Sequence, residues 1–143
     1  MNDASTETLT VVVERDIPQP PEKLWRALTQ PHLIAEWLMP NDFQPVAGHR
    51  FTLRGDWGGV LDCEVLAVEP HTALSYTWNY AHDDDAYDLK SVVSFTLTPT
   101  GTGTRLRLEQ SGFRPGQEQA YHGARAGWQR FLTKLEEIVA PLA

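Results

Sequence analysis

The chain has 143 residues and a formal net charge of -7, and 41% of its residues are hydrophobic. This length and composition are typical of one globular domain with its own core, and the acidic balance disfavours nucleic acid and anionic membrane surfaces as partners. Cys63 is the only cysteine, which excludes an internal disulfide and a cysteine-based zinc site.

The first predicted elements are a strand and two short helices. The stretch Leu9–Ile17 is rich in β-branched residues, which predicts a strand. Pro21 suits the first turn of a helix, where its missing N–H is harmless. Pro31 ends that helix and opens a second, short one that carries Trp37 and closes before Pro40.

Hydrophobic residues at alternate positions predict strands in the middle of the chain. The predicted strands are His49–Arg54, Val60–Glu69, Leu74–Tyr80, Leu89–Pro99 and Thr104–Ser111. Short turns join them, so we expect antiparallel pairing. One-sided alternation is typical of a sheet with one face in water and the other covered.

The last predicted element is a long helix from Gln117 to Ala140. Apolar residues recur along it at helical spacing, at Tyr121, Ala124, Trp128, Phe131, Leu135 and Ile138. Its first half is rich in small residues, including Gly123 and Gly127, although each interior glycine costs a helix about 1 kcal/mol relative to alanine. If a helix with small side chains in its first half packs on a sheet, we expect a cavity beside that half.

These elements predict an α+β fold in which a curved antiparallel sheet packs on the C-terminal helix. We expect residues 1–8 to form a flexible N-terminus and residues 9–143 to form a single domain. The N-terminus lacks the pattern of a signal peptide, and no stretch approaches 18 uninterrupted apolar residues. The expected location is therefore the cytoplasm, without membrane insertion.

Four stretches carry a family resemblance: Ala27–Leu38, Val65–Trp78, Val93–Phe113 and the pair Gly127-Trp128. Together they resemble the START-like (SRPBCC) superfamily, and within it small bacterial members of the heat-shock-protein-90 ATPase activator homologue-like family. The resemblance implies a helix-grip fold, with six to seven strands around the long helix and an apolar cavity between them. The eukaryotic co-chaperone of that family carries a further N-terminal domain, for which this chain leaves no room.

The candidate ligand-binding residues are mostly large apolar or aromatic side chains expected to face the helix. They are Trp37, Phe51, Leu53, Trp57, Cys63, Tyr76, Trp78, Tyr80, Phe95, Tyr121, Ala124 and Trp128. The alternative is that they simply fill the core, as aromatic residues commonly do. Trp57, Tyr80 and Tyr121 are the stronger pocket candidates, because they lie near turns or at the slim end of the helix. Trp128 is better explained as core.

Candidates for catalysis or metal binding are sparse. Asp62 and Glu64 share one strand face, which is expected to be the wet face; a register slip of one residue would turn them inward as acid/base candidates. The acidic loop His82–Asp88 lacks the ligand spacing of an EF-hand, and Cys63 is expected to be a buried, inert thiol. We therefore predict no catalytic residue, metal or cofactor.

The leading hypothesis is binding of a small hydrophobic molecule, such as a lipid, a polyketide or an aromatic metabolite. One alternative is a cavity-based enzyme of the cyclase or hydrolase type, favoured if two or more of Asp62, Glu64, His49 and Gln110 met inside the pocket. The other is an interaction protein that stimulates a chaperone ATPase, which rests on the resemblance alone. The sequence leaves open whether the protein is a homodimer.

Overall fold

The computed structural model describes residues 8–56, 58–81 and 88–143. In chain order the elements are β1 (Leu9–Ile17), α1 (Pro21–Thr29), α2 (Pro31–Trp37), β2 (Arg50–Arg54), β3 (Val60–Glu69), β4 (Ala73–Tyr80), β5 (Leu89–Pro99), β6 (Thr104–Phe113) and α3 (Glu118–Val139). The predicted α+β helix-grip architecture is confirmed, with six strands in the described part of the chain. The sequence placed the end of β6 two residues early, at Ser111.

All six strands form one antiparallel sheet in the order β1-β6-β5-β4-β3-β2, so β1 and β2 are its edges. The alternation seen in the sequence sends one set of side chains toward the helices, where Val93, Leu106 and Leu108 are fully buried. The other set faces water and includes the ion pairs Arg105–Asp16 and Arg107–Glu14. One-sided burial is what fixes the register of such strands.

Arg15 on the edge strand β1 forms hydrogen bonds with residues of α3. Its Nη1 atom donates to Oε2 of Glu136 at 2.6 Å, and Nη2 donates to the carbonyl oxygen and to Oε1 of Gln129 at 3.0 and 2.8 Å. Hydrogen bonds between charged partners are stronger than neutral ones. This cluster therefore helps to hold the second half of α3 against the sheet.

The packed face of α3 differs from the one that the sequence predicted. Its most buried large residues are Trp128, Leu132, Leu135 and Val139, whereas Phe131 is only partly buried. Leu132 and Val139 follow Trp128 and Leu135 by four residues, which places all four on one stripe. The face that carries Phe131 lies to one side of this stripe.

A β-bulge interrupts β6 at Gly112. Leu9 is opposite Phe113 and Thr10 is opposite Ser111, so Gly112 has no partner of its own on β1. Its φ of +114° suits glycine, and an added methyl group would lie 2.5 Å from the carbonyl oxygen of Lys90. The extra residue shifts the alternation, so that Phe113 points into the core.

Candidate functional site

A cavity of about 240 Å³ lies beside the first half of α3. The helix contributes Ala120, Gly123, Ala124, Gly127, Trp128, Arg130 and Phe131, the sheet contributes Trp78, Leu89, Gln110 and Phe113, and Met39 follows α2. It therefore occupies the place where the small residues of the sequence predicted a hollow.

The helix wall of the cavity is made of small side chains. Ala120, Gly123, Ala124 and Gly127 follow one another at steps of three, one and three residues, which puts them on one helix face. A methyl group added at Gly123 would meet no atom within 4 Å, and one added at Gly127 would make only ordinary contacts. The absent side chains leave this space open.

The rest of the lining is largely aromatic and comes from both the helix and the sheet. The rings of Trp78 and Trp128 lie with their centroids 5.1 Å apart, and Phe131 packs edge-on against Trp128 at 5.6 Å. Phe113 completes this lining because the bulge at Gly112 turns it inward. Strand alternation alone would have pointed Phe113 outward, and the one signal for its real position was Gly112, a glycine directly after the predicted strand Thr104–Ser111.

Gln110 is the polar residue in the interior of the cavity, with 1% of its surface exposed. Its Oε1 accepts a hydrogen bond from Nε1 of Trp128 at 2.7 Å, and its Nε2 donates to Oγ of Ser91 at 3.0 Å. The Ser91 hydroxyl in turn donates to the carbonyl oxygen of Trp78 at 2.6 Å. Because an indole N–H can only donate, this chain fixes the orientation of the amide. It leaves one Gln110 N–H without a partner among the described residues.

Arg130 is the one charged residue among the described residues that line the cavity. Its side chain is exposed, and its guanidinium lies near Gly127, because a methyl group added there would be 3.8 Å from Nη2 of Arg130. The site thus combines an apolar body, an interior amide and a cation at its exposed side.

The structure separates the predicted site residues into two groups. Trp78, Ala124 and Trp128 line the cavity. Six others do not line it and lie in the packed core: Trp37, Phe51, Leu53, Cys63, Tyr76 and Phe95.

The three residues favoured as pocket candidates are absent from the described lining. Tyr121 packs edge-on against Phe113, with ring centroids 5.9 Å apart, and Tyr80 is partly buried against the core. Trp57 lies outside the described residues. Trp128, which the sequence favoured as core, is both buried and part of the cavity wall.

The acid/base candidates do not meet in this cavity. Asp62 is exposed, and Oε1 of Glu64 lies 3.6 Å from Nε of Arg50 on the same side of the sheet. The prediction that both carboxylates face water is confirmed. His49 lies at the surface with Nε2 3.0 Å from the carbonyl oxygen of Asp42. Of the four groups named for an enzyme, only Gln110 lines the cavity.

The remaining polar candidates also lie away from the cavity. Cys63 is buried as predicted, and burial, followed by the charges of Asp62 and Asp42, raises the pKa of its thiol to about 12. Residues 82–87 of the acidic loop lie outside the described residues. The carbonyl oxygen of Asp88 accepts a hydrogen bond from Nε2 of Gln117 at 2.7 Å.

The described residues hold neither a metal-binding cluster nor a helix suited to cross a membrane. Over residues 8–56, 58–81 and 88–143, no group of three or more His, Cys, Asp or Glu side chains is placed to hold a metal ion. In the same ranges, no helix is both long enough and apolar enough to cross a membrane.

A curved antiparallel sheet around a long C-terminal helix, with a cavity beside that helix, defines the START-like class of domains. The family model described as "Activator of Hsp90 ATPase homolog 1-like protein" matches residues 18–140, and the chain belongs to this family. No curated protein matches the chain.

Solved structures agree with this assignment. The crystal structure of MLL2253 from Mesorhizobium loti is 69% identical with a TM-score of 0.92, and the match covers 94% of this chain and 99% of that one. The solution structure of BH1534 from Bacillus halodurans is 26% identical with a TM-score of 0.78, covering 94% and 99%. DynU16, a putative protein in the dynemicin biosynthetic locus, is 28% identical with a TM-score of 0.79, covering 92% of this chain but 47% of DynU16.

Proposed function

We propose that this protein binds a small, largely apolar molecule in the cavity between strands β4 to β6 and the first half of α3. The observation that carries the proposal is a space of about 240 Å³ lined by the small residues of α3 together with the aromatic rings of Trp78, Phe113 and Trp128. Binding sites for small molecules are typically apolar clefts with a few placed polar groups, and Gln110 and Arg130 are such groups here.

The two helix glycines support a cavity rather than a tight contact. Glycine is needed in a helix where the backbone is strained or where another chain segment comes close. Neither Gly123 nor Gly127 has a positive φ, and an added methyl group would collide with nothing at either position. Each glycine costs the helix about 1 kcal/mol relative to alanine, and no close packing contact offsets this cost. What the two glycines provide is open volume beside the helix.

The size of the cavity limits the ligand. Pockets for drug-sized molecules measure about 300–1,000 Å³, and this one is slightly smaller. A body of one or two rings fits, with part of the molecule outside. The position of DynU16 in a biosynthetic locus also favours a small-molecule role, although that chain is only 28% identical.

The test is to fill the cavity from the helix side. Gly123→Leu places a side chain in open space and improves helix propensity, so we expect a folded protein. Fluorescence titration with the neutral apolar probe N-phenylnaphthylamine should show affinity reduced at least about ten-fold relative to wild type.

The matched control is Ala126→Leu. Ala126 is exposed on the same helix and does not line the cavity, so this variant should bind the probe as wild type does. Unchanged probe affinity in a Gly123→Leu protein with a native circular dichroism spectrum and melting temperature would exclude the cavity as the binding site.

A further inference from the structure

We propose that the ligand is an amphipathic anion, with a ring body against Trp78 and Trp128 and an acidic group bound by Arg130. The acidic group would be a carboxylate, sulfonate or phosphate, since the guanidinium fork recognises all three. The inference rests on the proposed function, because it assigns the chemistry of the molecule that occupies the same cavity.

The first support is the state of Arg130. Arg15, Arg105 and Arg107 each form an ion pair with a carboxylate. Arg130 forms neither a hydrogen bond nor an ion pair with any residue in the described ranges. A guanidinium that is not neutralised within the protein remains available to an anion from solution.

The second support is where this cation lies. Gly127 leaves the space beside Nη2 of Arg130 free of a side chain, and both residues line the cavity. Arg130 also borders a shallow groove on the outer side of α3, together with Lys134 and Glu137. The guanidinium therefore stands at the boundary between the apolar cavity and the solvent, where the head group of an amphipathic ligand would emerge.

The third support is the charge of the lining. No carboxylate lines the cavity among the described residues, although the chain as a whole carries a net charge of -7. An anion in the cavity would meet the guanidinium of Arg130, and Gln110, which keeps one N–H without a partner among the described residues, is also part of the lining. A cationic ligand would be repelled by Arg130 and would meet no carboxylate among the described lining residues.

The experiment compares two probes with the same ring body. Anilinonaphthalene sulfonate carries an anionic group, and N-phenylnaphthylamine is its neutral counterpart. We expect Arg130→Gln to weaken binding of the sulfonate probe about three- to five-fold, the upper part of the range of one ion pair at an exposed site. The affinity of the neutral probe should change less than about two-fold.

The matched control is Arg125→Gln, since Arg125 is an exposed arginine on the same helix that does not line the cavity. This variant should bind both probes as wild type does. Added salt should weaken binding of the sulfonate probe to wild type and have little effect on its binding to Arg130→Gln, because screening acts on the ion pair.

The possible results separate the two proposals. If Arg130→Gln and Arg125→Gln change the affinity for the sulfonate probe equally, the proposal of an anionic ligand is wrong. In that case, weaker binding of both probes to Gly123→Leu would still support the cavity as the binding site. If neither probe binds wild type, or if Gly123→Leu changes neither affinity, the proposed function fails and the ligand class fails with it.

Discussion

At the scale of single residues, Gln110 shows how a polar side chain is held in an apolar interior. Its two amide atoms are fixed by Trp128 on α3 and Ser91 on β5, at 2.7 and 3.0 Å. Among the described residues, no fully buried side-chain nitrogen or oxygen lacks a hydrogen-bond partner, as is usual in folded proteins. The amide thus links the helix to the sheet directly beside the cavity.

Cys63 is a residue whose acid-base chemistry is changed by burial. Burial raises the pKa of its thiol to about 12, whereas an unfolded cysteine titrates near 8.5. Between these values the unfolded chain binds one proton fewer than the folded chain, so stability falls as the pH rises, by about 1.4 kcal/mol per pH unit. We expect this decline in urea unfolding experiments between pH 9 and pH 10.

The control for this prediction is Cys63→Ala, which should show a flatter decline over the same pH interval. Burial also raises the pKa of Tyr76, and a tyrosine in the unfolded chain titrates near pH 10. The measurements stop at pH 10 so that Tyr76 does not add to the change in stability. The native thiol should also resist a thiol reagent at pH 8 and react only after denaturation. Equal slopes for the two proteins would contradict the raised pKa.

At the scale of elements, the bulge in β6 is a small irregularity with a direct effect on the site. The regular part of the strand sends Leu106, Leu108 and Gln110 inward, and the extra residue Gly112 moves the next inward position to Phe113. Bulges commonly redirect a side chain in this way. The position of Phe113 in the cavity lining therefore depends on one glycine.

We predict that Gly112→Ala lowers the free energy of unfolding by about 2–4 kcal/mol. A φ of +114° is unfavourable for alanine, and the new methyl group would lie 2.5 Å from the carbonyl oxygen of Lys90. Urea denaturation measures the loss. Gly101→Ala is the control, since a methyl group at Gly101 meets nothing within 4 Å, and losses of equal size in both variants would argue against the bulge.

The two halves of helix α3 differ in side-chain size and burial. Leu132, Leu135 and Val139 in its second half are fully buried against the sheet, and Arg15 holds this half by its hydrogen bonds. The first half presents small residues to the cavity. The large buried residues after Trp128 therefore lie in the second half, while the small residues that line the cavity lie in the first half.

At the scale of the whole molecule, an occupied cavity should raise the stability of the fold. A ligand that binds only the native state adds about 2.7 kcal/mol at a concentration of 100 times its dissociation constant. For a chain of this size that corresponds to a rise of about 5–10 °C in melting temperature. This shift can be measured by following thermal unfolding with circular dichroism in the presence and absence of N-phenylnaphthylamine.

The same measurement on Gly123→Leu provides the control. Its melting temperature should be insensitive to the probe, because the added side chain occupies the space next to Ala124 and Gly127. An equal rise in both proteins would mean that the probe stabilises the fold from another place on the surface.

The sequence by itself determined the order of the elements, the inward and outward faces of the strands, and the small-residue half of α3. These are local properties, since alternation, helical spacing and proline positions depend on neighbours in the chain. It also separated the exposed Asp62 and Glu64 from the interior.

Only the tertiary structure decided which of the inward-facing residues line the cavity. Phe51, Tyr76 and Phe95 have the same alternation as Trp78, yet they pack against one another and against neighbouring rings. Phe113 reaches the cavity through a bulge, and the amide of Gln110 is fixed beside it by hydrogen bonds to residues far away in the sequence. A void is what remains after all elements have packed, so its lining depends on the relative positions of α3 and the sheet, which no local pattern encodes.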